Sequence, residues 1–164
     1  MTPDAGPSSS ALDAILEKIA LLSRSEPPSG DGPASFSSRL TDTVGRIENL
    51  TVVLNDATAR LGRVRAQLRT KKTALRIMLD VTMRDEPTVK FAKNQRTKES
   101  RARAFHAQDF DEISRYEISA ADLNAVVLAC KAAVESMNGL RFSLQKQIDL
   151  MVSERHRTPG FDRR

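Results

Sequence analysis

Four basic residues, Arg65, Arg69, Lys72 and Arg76, follow one another at steps of four, three and four. On a helix that spacing places them along one flank, where guanidinium and ammonium groups form a row of donors suited to phosphate oxygens. Arg60, Arg63 and Lys71 widen the strip, and no acid interrupts it between Arg60 and Arg76. The basic excess continues through Lys90, Lys93, Arg96, Lys98, Arg101 and Arg103. Residues 60–103 hold fourteen Lys or Arg against four Asp or Glu, while the rest of the chain holds twelve against seventeen. Helix faces that only meet water usually mix signs, so this concentration points to a polyanion. Phe91, Phe105, Phe110 and Tyr116 lie among the downstream cations. They either anchor that segment on the rest of the protein or stack on the bases of a single strand, a mode that tolerates any sequence. No helix-turn-helix, zinc-finger or RNP-type motif accompanies them, so sequence-specific base readout has no support.

Catalytic constellations are not legible. His106 and His156 stand far apart and share no metal-type spacing with Cys130. There is no Gly-rich phosphate loop and no Gly-x-Ser-x-Gly. Asp109, Asp111 and Glu112 cluster, but in a polar stretch. The chain is therefore read as a non-enzyme with no metal and no cofactor. One cysteine excludes an internal disulfide, and no apolar run approaches the roughly 20 residues of a membrane span. The N-terminus is rich in Pro and Ser and lacks a basic start. A cytoplasmic protein is expected.

The elements that must hold the strip are long helices. Leu40, Ile47, Leu54, Leu61, Leu68 and Leu75 recur every seventh residue, and Leu50, Ala57, Val64 and Met78 form a second row, broken at Thr43 and Lys71. Over about 45 residues this predicts one helix some 65 Å long, too narrow to bury itself. A second seam runs through Leu123, Val127, Cys130, Val134, Met137, Leu144, Ile148 and Met151, with Arg141 out of pattern. Arg141 either sets register against an acidic partner or emerges where the bundle frays, and Phe142 beside it is read as packing. The fold class predicted is all-α: two long heptad-patterned helices packed as a helical hairpin or bundle, with short accessory helices, in an oligomer. Only seven aromatics in 164 residues argue against a large globular core, and oligomerisation would supply the missing burial.

The predicted order is a flexible segment over 1–38, a helical domain over 39–155 and a disordered tail over 156–164. Within the first, a leader precedes a short amphipathic helix with a capping box at Ser10 and Asp13 and apolar residues Leu12, Ile15, Leu16, Ile19 and Leu22. That helix either folds back on its own protein or docks on another. The Pro- and Gly-rich residues 25–38 are read as a linker. The first long helix is expected to start after Ser37 or Ser38 and to stop before Pro87. Residues 86–116 are read as an irregular crossover with a short helix at 97–107. Ser119 and Asp122 are taken as the capping box of the last helix.

From Lys71 to Asp80 the chain reads KKTALRIMLD, and Cys130, Glu135 and Phe142 follow on the last helix. In order and spacing this resembles the UvsY family of phage recombination mediators across roughly residues 45–152. The resemblance implies a small helical protein that assembles into a ring, binds single-stranded DNA and helps a RecA-type recombinase replace single-strand binding protein, in the host cytoplasm. Carried over by position, Lys71, Lys72 and Arg76 would contact DNA. Met78 and Gln145 stand where the family has basic residues, which moves the implied affinity onto Arg65, Arg69 and the downstream cations. The other reading is a coiled-coil structural or adaptor protein, such as a virion or secretion component, whose strip meets an acidic protein.

Overall fold

The computed structural model describes residues 9–24 and 33–157. The expected leader, residues 25–32 of the expected linker and the tail from residue 158 lie outside the described residues. Among those described every element is helical: α1 (Ser9–Ser23), α2 (Pro33–Asp85), α3 (Pro87–Lys90), α4 (Gln95–Phe105) and α5 (Ala107–Arg157). Among the described residues no helix is long and apolar enough to cross a membrane.

Helix α2 begins some five residues before its expected start, so residues 33–38 are helix rather than linker. Pro33 explains the position: its missing N–H falls in the first turn, where no intrahelical acceptor exists, and its fixed φ is already helical. Gly45 and Gly62 each cost about 1 kcal/mol relative to Ala, yet α2 runs unbroken through both. Burial of its apolar side sustains it. The helix stops at Asp85 because Pro87 disfavours helical backbone at Glu86, which is extended at φ −76° and ψ 114°.

The chain divides into two compact units, Ala57–Ala125 and Ser9–Asp56 with Val126–Arg164. In the first, Arg65 meets Asn124, Lys72 meets Glu117 and Lys71 meets Glu112. Advancing along α2 retreats along α5, so the two helices run antiparallel here, within one chain. Leu61, Val64, Leu75, Ile113 and Leu123 are buried in this unit, with Val89 and Ala102 fully sequestered.

Residues 86–116 form ordered helices rather than an irregular crossover. Asn94 caps α4, its side-chain oxygen accepting from the Thr97 amide at 2.8 Å. The Arg101 guanidinium donates to the Thr88 carbonyl and ties α4 back to α3. Helix α5 then starts at Ala107, a dozen residues before the expected cap. Ser119 is a buried mid-helix residue whose Oγ has no hydrogen-bond partner, so the Ser119–Asp122 pair marks no helix start. The start belongs to His106: its carbonyl accepts from Phe110 N–H at 3.1 Å, and its Nδ1 lies 3.2 Å from the Asp109 carboxylate, three residues on.

The second unit buries Ile19 of α1, Leu50 of α2, and Val126, Val127, Cys130, Ala133, Met137 and Leu144 of α5. Leu12, Ile15, Leu16 and Leu22 are half-buried, so the amphipathic helix turns its apolar side into its own chain. The Arg46 guanidinium donates to the carbonyl of Arg24, just past α1, at 2.7 Å. Thr43, a break in the apolar row, is buried without penalty because its hydroxyl donates to the Arg39 carbonyl. Burial pushes the Cys130 thiol pKa up, which keeps it protonated and unreactive.

Candidate nucleic-acid interface

Packing divides the α2 cations into two groups. Lys71 and Lys72 flank the apolar row on opposite sides, and each reaches an acid of α5. Lys71 Nζ is 2.9 Å from Glu112 and Lys72 Nζ is 2.6 Å from Glu117, with about half of each lysine side chain in water. The hydrogen bond to Glu112 raises the Lys71 pKa against an opposing desolvation, with smaller help from the charges of Glu112, Tyr116 and Asp109. At the break in the apolar row, where a buried ammonium would be costly, Lys71 thus emerges to solvent and binds across the seam. Arg65 donates to the Asn124 side-chain carbonyl at 3.2 Å.

Arg69 and Arg76 are turned further from the seam. Both are exposed, and neither has an acid partner among the described residues. Arg63 is exposed in the same way. Arg76 stands with Lys72 at the mouth of an open groove of about 610 Å³ whose floor is Leu75, Leu79, Met83, Phe110 and Ile113. Asp80, Asp111 and Glu117 complete the rim. Two cations and three carboxylates therefore line this groove, while Arg69 lies outside it.

The cations of α3, α4 and the bend between them divide similarly. Arg101 is spent on the Thr88 carbonyl, and Arg103 lies over the Phe110 ring, 5.9 Å from its centroid. Lys90, Lys93 and Arg96 are exposed; the charge of Lys90 acts on the Asp85 carboxylate, whereas Lys93 and Arg96 have no side-chain partner among the described residues, and Lys98 is half-buried. Between Lys90 and Lys93, Phe91 is 79% exposed, and Phe105 at the end of α4 is 58% exposed. These two rings do not anchor the segment. Val89 and Ala102 do that, while Phe110 and Tyr116 are half-buried on α5.

Two features were missed by the sequence reading. His106 Nε2 lies 2.8 Å from Thr82 Oγ1 while its Nδ1 faces Asp109, so one imidazole ties the end of α2 to the start of α5. The signal was available only as a His followed by an acid three residues later. Phe142, read as packing, is 65% exposed, and the Arg141 guanidinium lies over its ring at 5.0 Å. No group of His, Cys, Asp and Glu among the described residues could hold a metal ion. Comparison with protein-family models, with curated proteins and with solved structures finds no match to the chain.

Proposed function

We propose that the Ala57–Ala125 unit binds single-stranded DNA without sequence preference. The observation that supports this best is Phe91, a large ring left in water between Lys90 and Lys93 in a unit where Arg69, Arg76 and Arg96 also lack acid partners. An exposed aromatic flanked by exposed cations offers a face for a base and charges for the phosphates on either side. Arg69, Arg76, Lys90, Lys93 and Arg96 supply the primary contacts. Arg65, Lys71, Lys72, Lys98, Arg101 and Arg103 join only by giving up or sharing their present surroundings.

By the resemblance to UvsY-type mediators, the chain acts as a homo-oligomer that helps a RecA-type recombinase displace single-strand binding protein. The matching assay is strand exchange on DNA coated with that protein, with and without the chain. For single-stranded DNA binding itself, a strip neutralising about six phosphates loses about 300-fold in affinity between 50 and 200 mM salt. The double change Arg69→Ala and Arg76→Ala lowers the log–log salt slope by about 1.4, the single-strand value for two phosphates. A labelled oligonucleotide titrated across that salt range reads both. Affinity indifferent to salt and to substitution rejects the reading. The adaptor alternative draws on the Lys71–Glu112 and Lys72–Glu117 pairs, in which carboxylates already partner the strip. It predicts no DNA binding and a protein partner lost on deleting residues 1–38.

A further inference from the structure

The later part of α5 carries large apolar side chains on two opposite sides. One side, with Cys130, Met137 and Leu144, is buried. On the other, Leu128, Ala132, Glu135, Gly139 and Phe142 step by four, three, four and three, and all five are exposed. That is the spacing of a coiled-coil seam, and at 100° per residue the five fall within about 40° of one line. Leu128 is 58% exposed. Helices that are apolar on a second side ordinarily have a second neighbour.

We infer that this face is a homodimer seam, in which α5 of two copies runs antiparallel with Leu128 of each seated over Gly139 of the other. Three observations select a second copy as the occupant. First, large and small residues alternate so that the row fits its own reverse: the register that sets Leu128 on Gly139 also sets Glu135 on Ala132. Second, the space above Gly139 is open, with nothing within 4 Å of where a Cβ would stand, so a backbone with no side chain forms the seat. Third, the same register brings Lys131 of one copy beside Glu135 of the other, twice by symmetry. Lys131 and Glu135 are both exposed, lie four residues apart on one helix, and have no ion-pair partner among the described residues. Phe142 closes each end of the contact. This inference is independent of the DNA-binding reading, since none of its residues belongs to the basic unit.

Sedimentation of the full chain without nucleic acid, across micromolar concentrations, tests it. A monomer–dimer equilibrium is expected. Leu128→Lys and Gly139→Leu each weaken it by about tenfold or more, as loss of a buried anchor or of its seat does. Gly139→Leu is the informative one, because it favours the helix of the isolated chain while filling the seat, so unchanged or higher helicity by circular dichroism accompanies the loss of dimer. Lys131→Glu or Glu135→Lys alone sets like charges together and weakens the dimer, and the two combined restore it. A chain monomeric throughout, a dimer indifferent to Leu128→Lys and Gly139→Leu, or a double charge swap no better than either single change overturns the inference.

Discussion

The Ala57–Ala125 unit carries fifteen Lys or Arg against nine Asp or Glu, whereas Ser9–Asp56 with Val126–Arg164 carries eleven of each. Both units draw on the same two long helices, and both bury a row of branched side chains. Their surfaces differ. The neutral unit leaves Leu128, Phe142, Leu150 and Val152 of α5 in water, while the basic unit leaves Arg69, Arg76, Lys93 and Arg96 exposed and without an ion pair among the described residues. The shared core sets the framework, and what each unit contacts is decided on the outside of it. Changes inside a core should therefore alter stability and leave binding intact, and changes on the basic surface should do the reverse.

The largest effect expected on stability comes from truncating the neutral unit's core. Leu50 and Met137 are almost wholly buried, so Leu50→Ala or Met137→Ala costs about 2–5 kcal/mol through lost transfer energy and the cavity left behind. Thermal melting reads this as a fall of roughly 5–15 °C for a chain of this size. Oligonucleotide affinity, measured well below the transition, stays unchanged. Arg69→Ala with Arg76→Ala gives the mirror image, with stability held within about 0.5 kcal/mol because both side chains are exposed. An affinity that collapses with the core variants breaks the division of labour.

Much of this framework is readable without coordinates. Of the predicted rows, Leu50, Ala57, Leu61, Val64 and Leu75 are buried on α2, and Leu123, Val127, Cys130, Met137 and Leu144 on α5, while Leu40, Ile47, Leu54, Leu68, Met78, Val134, Ile148 and Met151 are half-buried. The start of α5 was misplaced because Ser119 and Asp122 imitate a capping box. Stepping back from Leu123 by three and four reaches Ala120, Tyr116 and Ile113, all of which are sheltered, so the seam continued past the false cap. Two polar residues at the next steps, Asp109 and His106, hid the beginning. The partition of cations into paired and unpaired was not legible, because it depends on which α2 turn faces Glu112 and Glu117. Nor was the exposure of Phe91, since an aromatic among lysines reads equally as an anchor or as a binding surface.

A smaller effect sharpens the comparison within the basic unit. Phe91→Ala removes a ring that contributes little burial, so it leaves melting unchanged and weakens oligonucleotide binding by about 10- to 100-fold, the value of one stacked base. Phe110→Ala does the opposite, because that ring lies in the groove floor beneath Arg103. Fluorescence anisotropy and a melting scan on the two variants separate the roles. Equal losses of stability would mean that Phe91 packs in solution.

The smallest effect decides to which group Lys71 belongs. Its ammonium is more basic in the folded chain because it donates to Glu112. A raised folded pKa means that the stabilisation is complete below the ordinary lysine pKa and is lost as pH rises through the folded value. Denaturant midpoints from about pH 9 to about pH 11 should decline slightly, and Glu112→Gln should flatten that limb. The side chain is exposed, so the change is small beside any core truncation. The same variant frees Lys71 without moving it. If Glu112→Gln tightens oligonucleotide binding, Lys71 is a phosphate ligand held in reserve by its carboxylate. If affinity does not change, the pair is a tie between α2 and α5, and the DNA-binding surface is confined to the cations that already stand alone.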